Sequence, residues 1–214
     1  DMWNAFYPKK DINYETFKDD TLAERALRLA DPSQGFVQVY GDTPLDNEPL
    51  GENVYRDMLN IAQDYVYIYT PYLVISYELQ TAMTLAARRG VDVRLMTPGI
   101  PDKKMVFRMT RSYYRPLIEA GVKIYEFSPG FLHAKTFVAD DRLASVGTIN
   151  LDYRSLYLHF ELSAMLYDHP VIPTIKADFL ATQAKARQIT LADTRNTLTG
   201  MLWDAVLRIV APFV

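Results

Sequence analysis

Apolar and polar positions form blocks along the chain that predict strands and helices in turn. Short blocks rich in Tyr, Val and Ile have the length and composition of strands, and longer blocks with helical spacing predict helices. The predicted strands are Phe36–Tyr40, Tyr65–Tyr69, Val91–Met96, Val122–Phe127, Leu132–Ala139, Leu143–Gly147 and His159–Tyr167. The predicted helices cover about Thr21–Ala30, Tyr77–Arg89, Asp102–Glu119 and Val171–Ala184, and one more begins near Glu52. A helical turn is predicted after Asn150, and a last helix within Ala192–Val214.

In the first half of this pattern, single strands and single helices follow one another. Gly90 and Gly121 stand just past two of the helices, where glycine commonly ends a helix. Alternation of this kind is typical of an α/β fold. Because three strand-like runs with short gaps come next, we expect a mixed β-sheet flanked by helices on both faces.

Composition and charge narrow the class of protein. The 214 residues are 49% hydrophobic and carry a formal net charge of −3. The apolar content is sufficient for a sizeable core, and the charge argues against a surface built to hold nucleic acid. The absence of cysteine excludes disulfides, thiolate zinc sites and cysteine nucleophiles. No apolar run reaches the roughly 18 residues that a bilayer-spanning helix requires.

A group of polar residues in the second half of the chain carries the candidate chemistry. The segment begins with His133 and Lys135, which share one face if they lie on a strand, so their side chains are expected to enter one pocket. Further along, Asn150 offers amide donors and Thr148 a hydroxyl, while Gly147 lets the backbone approach closely. The group combines a nucleophile, a cation and hydrogen-bond donors.

These residue types suit the cleavage of a phosphodiester. Such a reaction needs positive charge on the non-bridging oxygens, an oriented nucleophile, and an acid for the leaving alkoxide. Lys135, Thr148 and Asn150 would supply the first, and His133 can either attack phosphorus or donate a proton. One histidine cannot do both in the same step. No metal or other cofactor is expected, because no ligand-spaced cluster is present and the lysine can take over a metal's electrostatic role.

Some of these residues also have structural explanations. Asn150 alone would be interpreted as a helix N-cap, and Asp140 with Asp141 as a turn between strands. For Asp140 the turn is favoured, so we expect it to organise hydrogen bonds and not to carry a proton. His159 shares a strand face with Glu161, but a polar residue at a strand end is the preferred interpretation.

The whole pattern resembles the signature of the phospholipase D superfamily. It consists of H-x-K, four residues, Asp140, six residues and G-T-x-N, with Thr148 where the family usually has serine. The resemblance implies one lobe of a two-lobed phospholipase D-like fold. It also implies that Glu161, downstream on a neighbouring strand, hydrogen-bonds the catalytic histidine. The resulting catalytic set is His133, Lys135, Asp140, Asn150 and Glu161.

Longer sequence segments resemble the C-terminal catalytic half of bacterial cardiolipin synthases. They are Thr70–Leu73, Arg89–Arg94, Thr97–Lys104, Thr110–Tyr114, Glu119–Glu126 and Asn150–Leu156. This resemblance implies transfer of a phosphatidyl group between two phosphatidylglycerols at the cytoplasmic side of the cell membrane, with release of glycerol. Arg111 and Tyr113 match one segment, and we expect them to bind substrate together with Gly147 and Thr148.

The 214 residues contain a single H-x-K motif, although the implied phosphohistidine mechanism uses two. We therefore expect the second motif to come from an N-terminal lobe of the same longer chain or from a second copy. The start at Asp1, in what resembles the end of a helix, also predicts a longer protein. Accordingly, 1–34 is interpreted as a linker or the end of a preceding lobe, 35–190 as the catalytic lobe, and 191–214 as an amphipathic helix.

Two surfaces allow more than one interpretation. Lys104, Arg108, Arg111 and Arg115 form one basic stripe on the predicted helix, which would suit either anionic lipid headgroups or solvent. The segment Met201–Val210 is apolar nearly all round, which favours either a membrane interface or docking on the protein's own core.

Two other hypotheses remain. A homodimeric single-motif phosphodiesterase, phospholipase D or endonuclease would use the same residues, but the acidic net charge counts against a nuclease. The other hypothesis is a catalytically silent half that only binds lipid or a partner lobe. The intact His133, Lys135 and Asn150 count against it, because such a half would not need them.

Overall fold

The computed structural model describes residues 34–210, and the helix predicted at Thr21–Ala30 lies outside them. The strands of the described part are β1 Phe36–Asp42, β2 Tyr65–Tyr69, β3 Leu73–Val74, β4 Asp92–Pro98, β5 Lys123–Phe127, β6 Thr136–Ala139, β7 Leu143–Gly147, β8 Leu151–Asp152, β9 Glu161–Tyr167 and β10 Ala186–Ile189. The helices are α1 Leu50–Ile61, α2 Tyr77–Arg88, α3 Lys104–Ser112, α4 Tyr114–Glu119, α5 Tyr153–Tyr157, α6 Ile172–Gln183 and α7 Leu198–Val210.

Eight of these strands form one mixed sheet in the order β1-β9-β7-β6-β2-β4-β5-β10. The pairs β2–β4 and β4–β5 are parallel, and the other neighbours are antiparallel. The predicted mixed sheet is confirmed. β3 and β8 form a separate parallel pair beside the sheet. Neither of these two-residue strands was predicted, and β10 was also missed, because strands this short carry too little periodicity.

The central strand β2 shows why both faces of the sheet are covered. All five of its residues are buried, and successive side chains point to opposite faces. Its three tyrosines lie on the face that α6 covers, where the Tyr67 ring stacks on Phe179 at 4.9 Å. Val66 and Ile68 lie on the other face, in the larger core with α1 and α2. The predicted helices on both faces are therefore confirmed.

Two helices end at glycines, as the sequence indicates. Gly90 follows α2 and Gly121 follows α4, with φ values of 97° and 104°. Residues with a Cβ rarely adopt this left-handed backbone. The glycines let the chain reverse directly into β4 and β5.

The single helix predicted over Asp102–Glu119 is wrong, because the chain forms two helices with a break at Tyr113. Pro116 explains the break, since it has no N–H to donate to the carbonyl of Ser112. The guanidinium of Arg208, on α7, binds that carbonyl instead. A tertiary contact thus replaces the missing helical hydrogen bond.

The strand predicted over Leu132–Ala139 is shortened to Thr136–Ala139. Its neighbour β2 ends at Tyr69, which pairs with Thr136, and the chain then turns at Thr70 and Pro71. The preceding residues therefore have no ladder partner in β2. His133 and Lys135 lie just beyond the edge of the sheet, in an irregular segment before β6.

Helix α7 packs on the domain through polar contacts and leaves much of its apolar surface exposed. Arg108 Nε donates to Asp204 at 2.8 Å, Arg208 stacks over the ring of Tyr113, and Leu207 is buried. Its most exposed apolar side chains are Leu198, Met201, Leu202, Trp203 and Ile209. Within residues 34–210, no helix has the length and apolar content needed to cross a membrane.

Asp140 joins the loop after β6 to the start of β2. Its carboxylate accepts hydrogen bonds from the backbone N–H groups of Gln63, Asp64 and Tyr65, at 2.7, 3.0 and 2.8 Å. Its φ of 54° is left-handed, a conformation that aspartate tolerates better than most residues. These contacts fit the turn-organising role expected from the sequence.

We predict that Asp140→Ala lowers the free energy of unfolding by about 2 kcal/mol, because three N–H groups lose a charged acceptor. Asp140→Asn keeps one side-chain oxygen and should lose less. Urea denaturation monitored by circular dichroism measures both. Asp57→Ala, at an exposed position on α1, is the control, and an Asp140→Ala variant as stable as this control would contradict the prediction.

Candidate active site

His133 lies in the irregular segment before β6 and is exposed. The neighbouring side chain of Leu132 is buried in the apolar cluster that α6 covers and so anchors the segment. The ammonium of Lys135 donates a hydrogen bond to the carbonyl of His133 at 2.6 Å. This bond fixes the ammonium at the backbone of His133, at the edge of the sheet.

The surroundings lower the pKa of His133 below its usual value. Partial desolvation is the main cause, and the positive charge of Lys135 adds to it, while Asp102 acts in the opposite direction. A lowered pKa favours the neutral imidazole, which is the form that can attack phosphorus. The pKa of Lys135 is also lowered, by burial, against the opposing charges of Glu161 and Asp152.

The carboxylate of Glu161 is held by hydroxyl groups. Ser155 Oγ donates to Oε1 at 2.6 Å, and Thr148 Oγ1 donates to Oε2. His159 Nδ1 lies 3.7 Å from Oε1. The expected hydrogen bond to His133 is wrong for this structure, since none joins Glu161 to His133 among the residues described. The physical reason is that Glu161 begins β9, which pairs with β7, so its carboxylate faces the loop after β7.

Gly147 allows that loop to lie against β9. A Cβ at this position would overlap the backbone of Leu162 and Ser163, so no larger residue fits without movement. The Gly147 N–H donates to the carbonyl of Lys135 at 3.3 Å. The next residue, Thr148, accepts from the Leu162 N–H at 3.0 Å. Glycine therefore lets the loop after β7 lie against β9, where the threonine hydroxyl reaches Glu161.

Asn150 lies next to a carboxylate that sequence reasoning did not select. Burial raises the pKa of the Asp152 carboxyl, and the nearby Asn150 amide acts in the opposite direction. Asp152 also caps α5, because it accepts from the Ser155 N–H at 2.9 Å. The Oδ1 atom of Asn150 is buried with no hydrogen-bond partner in the described part of the chain.

Asp152 and Ser155 are the residues of this cluster that sequence reasoning missed. Ser155 Oγ accepts from the Asn150 N–H at 2.8 Å and donates to Glu161, so it links two predicted site residues. The sequence feature that could have identified them is the D-x-x-S spacing of Asp152 and Ser155, which is typical of a helix N-terminus. It lies within the segment Asn150–Leu156.

Arg111 and Tyr113 are not brought to this cluster. Arg111 forms a two-bond ion pair with Glu126, at 2.9 and 3.2 Å. Tyr113 is buried beneath Arg208. Their expected part in substrate binding stays a prediction, and the contacts described here give both residues structural partners.

The basic stripe that contains Arg111 is largely neutralised. Besides the Arg111–Glu126 pair, Arg108 pairs with Asp204 and Arg115 with Glu119, at 2.8 and 2.9 Å. The helix break at Tyr113 also places Arg115 on a different helix from the others. This surface therefore does not present an uninterrupted row of unpaired cations.

Comparison with known proteins identifies the family. The family described as "Cardiolipin synthase, PLD-like domain" matches residues 55–182. A cardiolipin synthase of Geobacillus sp. (strain WCH70) is 40% identical over 182 residues, covering 85% of this chain and 36% of that protein. A protein of Streptococcus mutans is 51% identical over 183 residues, covering 85% of this chain and 40% of that protein. The chain thus spans about two fifths or less of these relatives.

Solved structures share the fold at low sequence identity. Nuc from Salmonella typhimurium, a phospholipase D family member, has a TM-score of 0.61 and 15% identity, with 72% of this chain and 97% of Nuc covered. Phosphatidylserine synthase from Haemophilus influenzae has a TM-score of 0.64 and 17% identity, with 83% and 48% covered. These two likenesses concern the fold alone. The sequence matches carry the assignment, and the chain belongs to the cardiolipin synthase family of phospholipase D-like domains.

Proposed function

We propose that this chain is one catalytic half of a phosphatidyl transferase that makes cardiolipin from two phosphatidylglycerols and releases glycerol. The observation that supports the proposal best is the pair His133 and Lys135. The Lys135 ammonium binds the backbone carbonyl of His133, and desolvation and the charge of Lys135 both lower the pKa of the imidazole. This pair supplies a nucleophile and a cation for a phosphodiester. Membership of the cardiolipin synthase family supports the choice of lipid substrate.

The first step forms a phosphohistidine. A neutral imidazole nitrogen attacks the phosphorus of one phosphatidylglycerol, a P–N bond forms, and the P–O bond to the headgroup glycerol breaks. A second, protonated imidazole gives its proton to the departing oxygen, so that glycerol leaves as a neutral alcohol. The lowered pKa of His133 suits the attacking role.

The second step transfers the phosphatidyl group. The terminal hydroxyl of another phosphatidylglycerol attacks the same phosphorus, and its proton passes to the second imidazole, now neutral. A new P–O bond forms, the P–N bond breaks, and His133 is restored. Lys135 would stabilise the charge on the non-bridging oxygens in both steps.

The remaining site residues fit supporting roles. Glu161 and Asp152 oppose the lowering of the Lys135 pKa and so favour its charged form. In the structure the Thr148 hydroxyl donates to Glu161, so its expected role toward phosphate requires it to exchange partners on substrate binding. Asn150 retains a buried, unpartnered oxygen that could accept a bond from substrate or from the second lobe.

The second imidazole is proposed to come from another lobe. Of the three histidines in the sequence, only His133 stands in an H-x-K pattern. A lobe with its own motif, either N-terminal in the same protein or in a second copy, would supply the acid. This arrangement would leave the present chain inactive without its partner.

We also propose that α7 lies against the membrane surface. Leu202 is 69% exposed, Trp203 53% and Ile209 74%, on a helix whose polar residues Asp204 and Arg208 are bound to α3. An exposed apolar helix surface of this kind suits the interface between headgroups and acyl chains. The substrate is a lipid, so the site must work near such a surface.

We expect His133→Ala to abolish cardiolipin formation in membranes that contain the full-length protein, with a loss of at least about 10³-fold, because the nucleophile is removed. His169→Ala is the matched control, since His169 lies in the loop before α6, where its imidazole accepts from the Val171 N–H. Radiolabelled phosphatidylglycerol reports product formation. Equal yields from the two variants would refute the proposed mechanism.

The pKa of His133 should rise in Lys135→Met, because the positive charge that helps to lower it is gone. Titration of the histidine ring protons by NMR measures this pKa. The neutral, attacking imidazole is lost as pH falls through the pKa, so any residual activity should also be lost at a higher pH than in the parent. Lys176→Met removes a lysine that pairs with Asp141 and should leave the His133 pKa unchanged.

A Leu202→Asp/Ile209→Asp double variant should bind phosphatidylglycerol vesicles at least about tenfold more weakly, because two buried apolar contacts with lipid are lost. Vesicle co-sedimentation measures this, and Trp203 emission should shift to shorter wavelength on binding in a Trp3→Phe background. Leu45→Asp, at another exposed apolar position, is the control. Binding lost equally in both variants would count against α7.

A further inference from the structure

A small cavity of about 80 Å³ lies beside the candidate active site. Tyr72, Lys103, Asp152 and Arg154 provide its polar groups, and Val74, Val106 and Met109 provide an apolar floor. Pockets for drug-sized ligands are about 300–1,000 Å³. The cavity is therefore large enough for a small polar headgroup and too small for an acyl chain.

The short pair β3–β8 builds this cavity. Val74 pairs with Asp152 in parallel register, which brings the segment after β2 against the start of α5. The Leu73 N–H donates to Thr110 Oγ1 at 3.1 Å and so attaches the same segment to α3. Three elements thus meet around the cavity, and backbone pairing sets their distances.

The polar groups of the cavity are coupled to the catalytic cluster. Tyr72 donates to Asp102 at 2.6 Å, and the charge of Asp102 acts on the imidazole of His133. Asp152 lines the cavity, and its charge acts on the ammonium of Lys135. Asp152 also accepts from the Ser155 N–H, and Ser155 Oγ donates to Glu161, so a ligand in the cavity would join the hydrogen-bonded network of the catalytic cluster.

The charges of the cavity fit a polyol that carries a phosphate. Within residues 34–210, no carboxylate lies at ion-pair distance from Lys103 or Arg154, so both cations are available to an anion. Asp152 can accept hydrogen bonds from hydroxyl groups, and Tyr72 can donate or accept. The apolar floor suits the carbon side of a glyceryl group.

Resting on the proposed function, we infer that this cavity is the acceptor subsite, which binds the glycerol headgroup of the second phosphatidylglycerol while Lys103 and Arg154 bind its phosphate. In a reaction through a phosphohistidine, the acceptor enters where the leaving alcohol departed. One alcohol subsite therefore serves both steps. The departing glycerol carries no phosphate, so the two cations matter only for an acceptor that is itself an anionic lipid.

The test separates transfer to lipid from transfer to water. Full-length protein in membranes receives labelled phosphatidylglycerol, and the ratio of cardiolipin to phosphatidic acid is measured together with total donor turnover. We expect Lys103→Met/Arg154→Met to lower that ratio about tenfold or more, because two charge-assisted contacts to the acceptor phosphate are lost. Donor turnover should stay within about twofold of the parent, because His133 and Lys135 are intact.

Lys185→Met/Arg88→Met removes the same charge from exposed positions that do not line the cavity and is the matched control. Its ratio should equal that of the parent, and Arg154→Lys should recover most of the parental ratio. Thermal unfolding shows whether the variants are folded.

An unchanged ratio in Lys103→Met/Arg154→Met, or an equal fall in the control, would overturn the acceptor subsite. A proportional loss of donor turnover and cardiolipin would also overturn it, because it would assign the cations to the donor. A parent protein that transfers no phosphatidyl group would instead overturn the proposed function, and the subsite with it.

Discussion

The antiparallel pairing of β6 with β2 is the interaction on which the candidate site depends. At one end of β6, Asp140 holds three backbone N–H groups at the start of β2. At the other end, Tyr69 pairs with Thr136, and the chain of β6 extends past the sheet as Lys135 and His133. The four residues of β6 cover about 13 Å at roughly 3.3 Å each. A slip of one residue would turn Lys135 to the opposite face. The aspartate of the motif thus acts at a distance, by setting the register that places the histidine and the lysine.

Electrostatics then divides the cluster into groups with different tasks. Desolvation, with the charge of Lys135 adding to it, lowers the pKa of the His133 imidazole and thereby favours its neutral form. Glu161 and Asp152 act on the lysine in the opposite direction, against the effect of its burial. The two carboxylates are themselves held by Ser155 and by the backbone at the start of α5. A short helix of five residues therefore positions the negative charges that accompany the lysine.

The contacts of α7 change the interpretation of two surfaces that the sequence left open. Its polar residues bind α3, and they use Arg108 and the carbonyl left without a donor by Pro116. The same contacts neutralise part of the basic stripe and turn an apolar side of the helix to solvent. The sequence offered membrane contact and docking on the core as alternatives. One side of α7 packs on α3, and the apolar side chains of its other side are exposed to solvent.

Local patterns determined most of the secondary structure and the membership of the cluster. Strand and helix periods predicted Tyr65–Tyr69 and Leu143–Gly147 to the residue, and the motif spacing selected His133, Lys135, Thr148 and Asn150. These features depend on neighbours in sequence, so the sequence carries them directly. The helix ends at Gly90 and Gly121 were also predictable from local sequence.

Only the tertiary structure decided which side chains contact each other. Glu161 bonds Thr148 and Ser155 because β9 pairs with β7, and Arg111 on α3 bonds Glu126 on β5, fifteen residues further along the chain. The break at Tyr113, the early end of β6 toward His133, and the cavity between β3, β8 and α3 arise in the same way. Each results from pairing between segments distant in sequence, whose register is set by packing and by hydrogen bonds that no local pattern records.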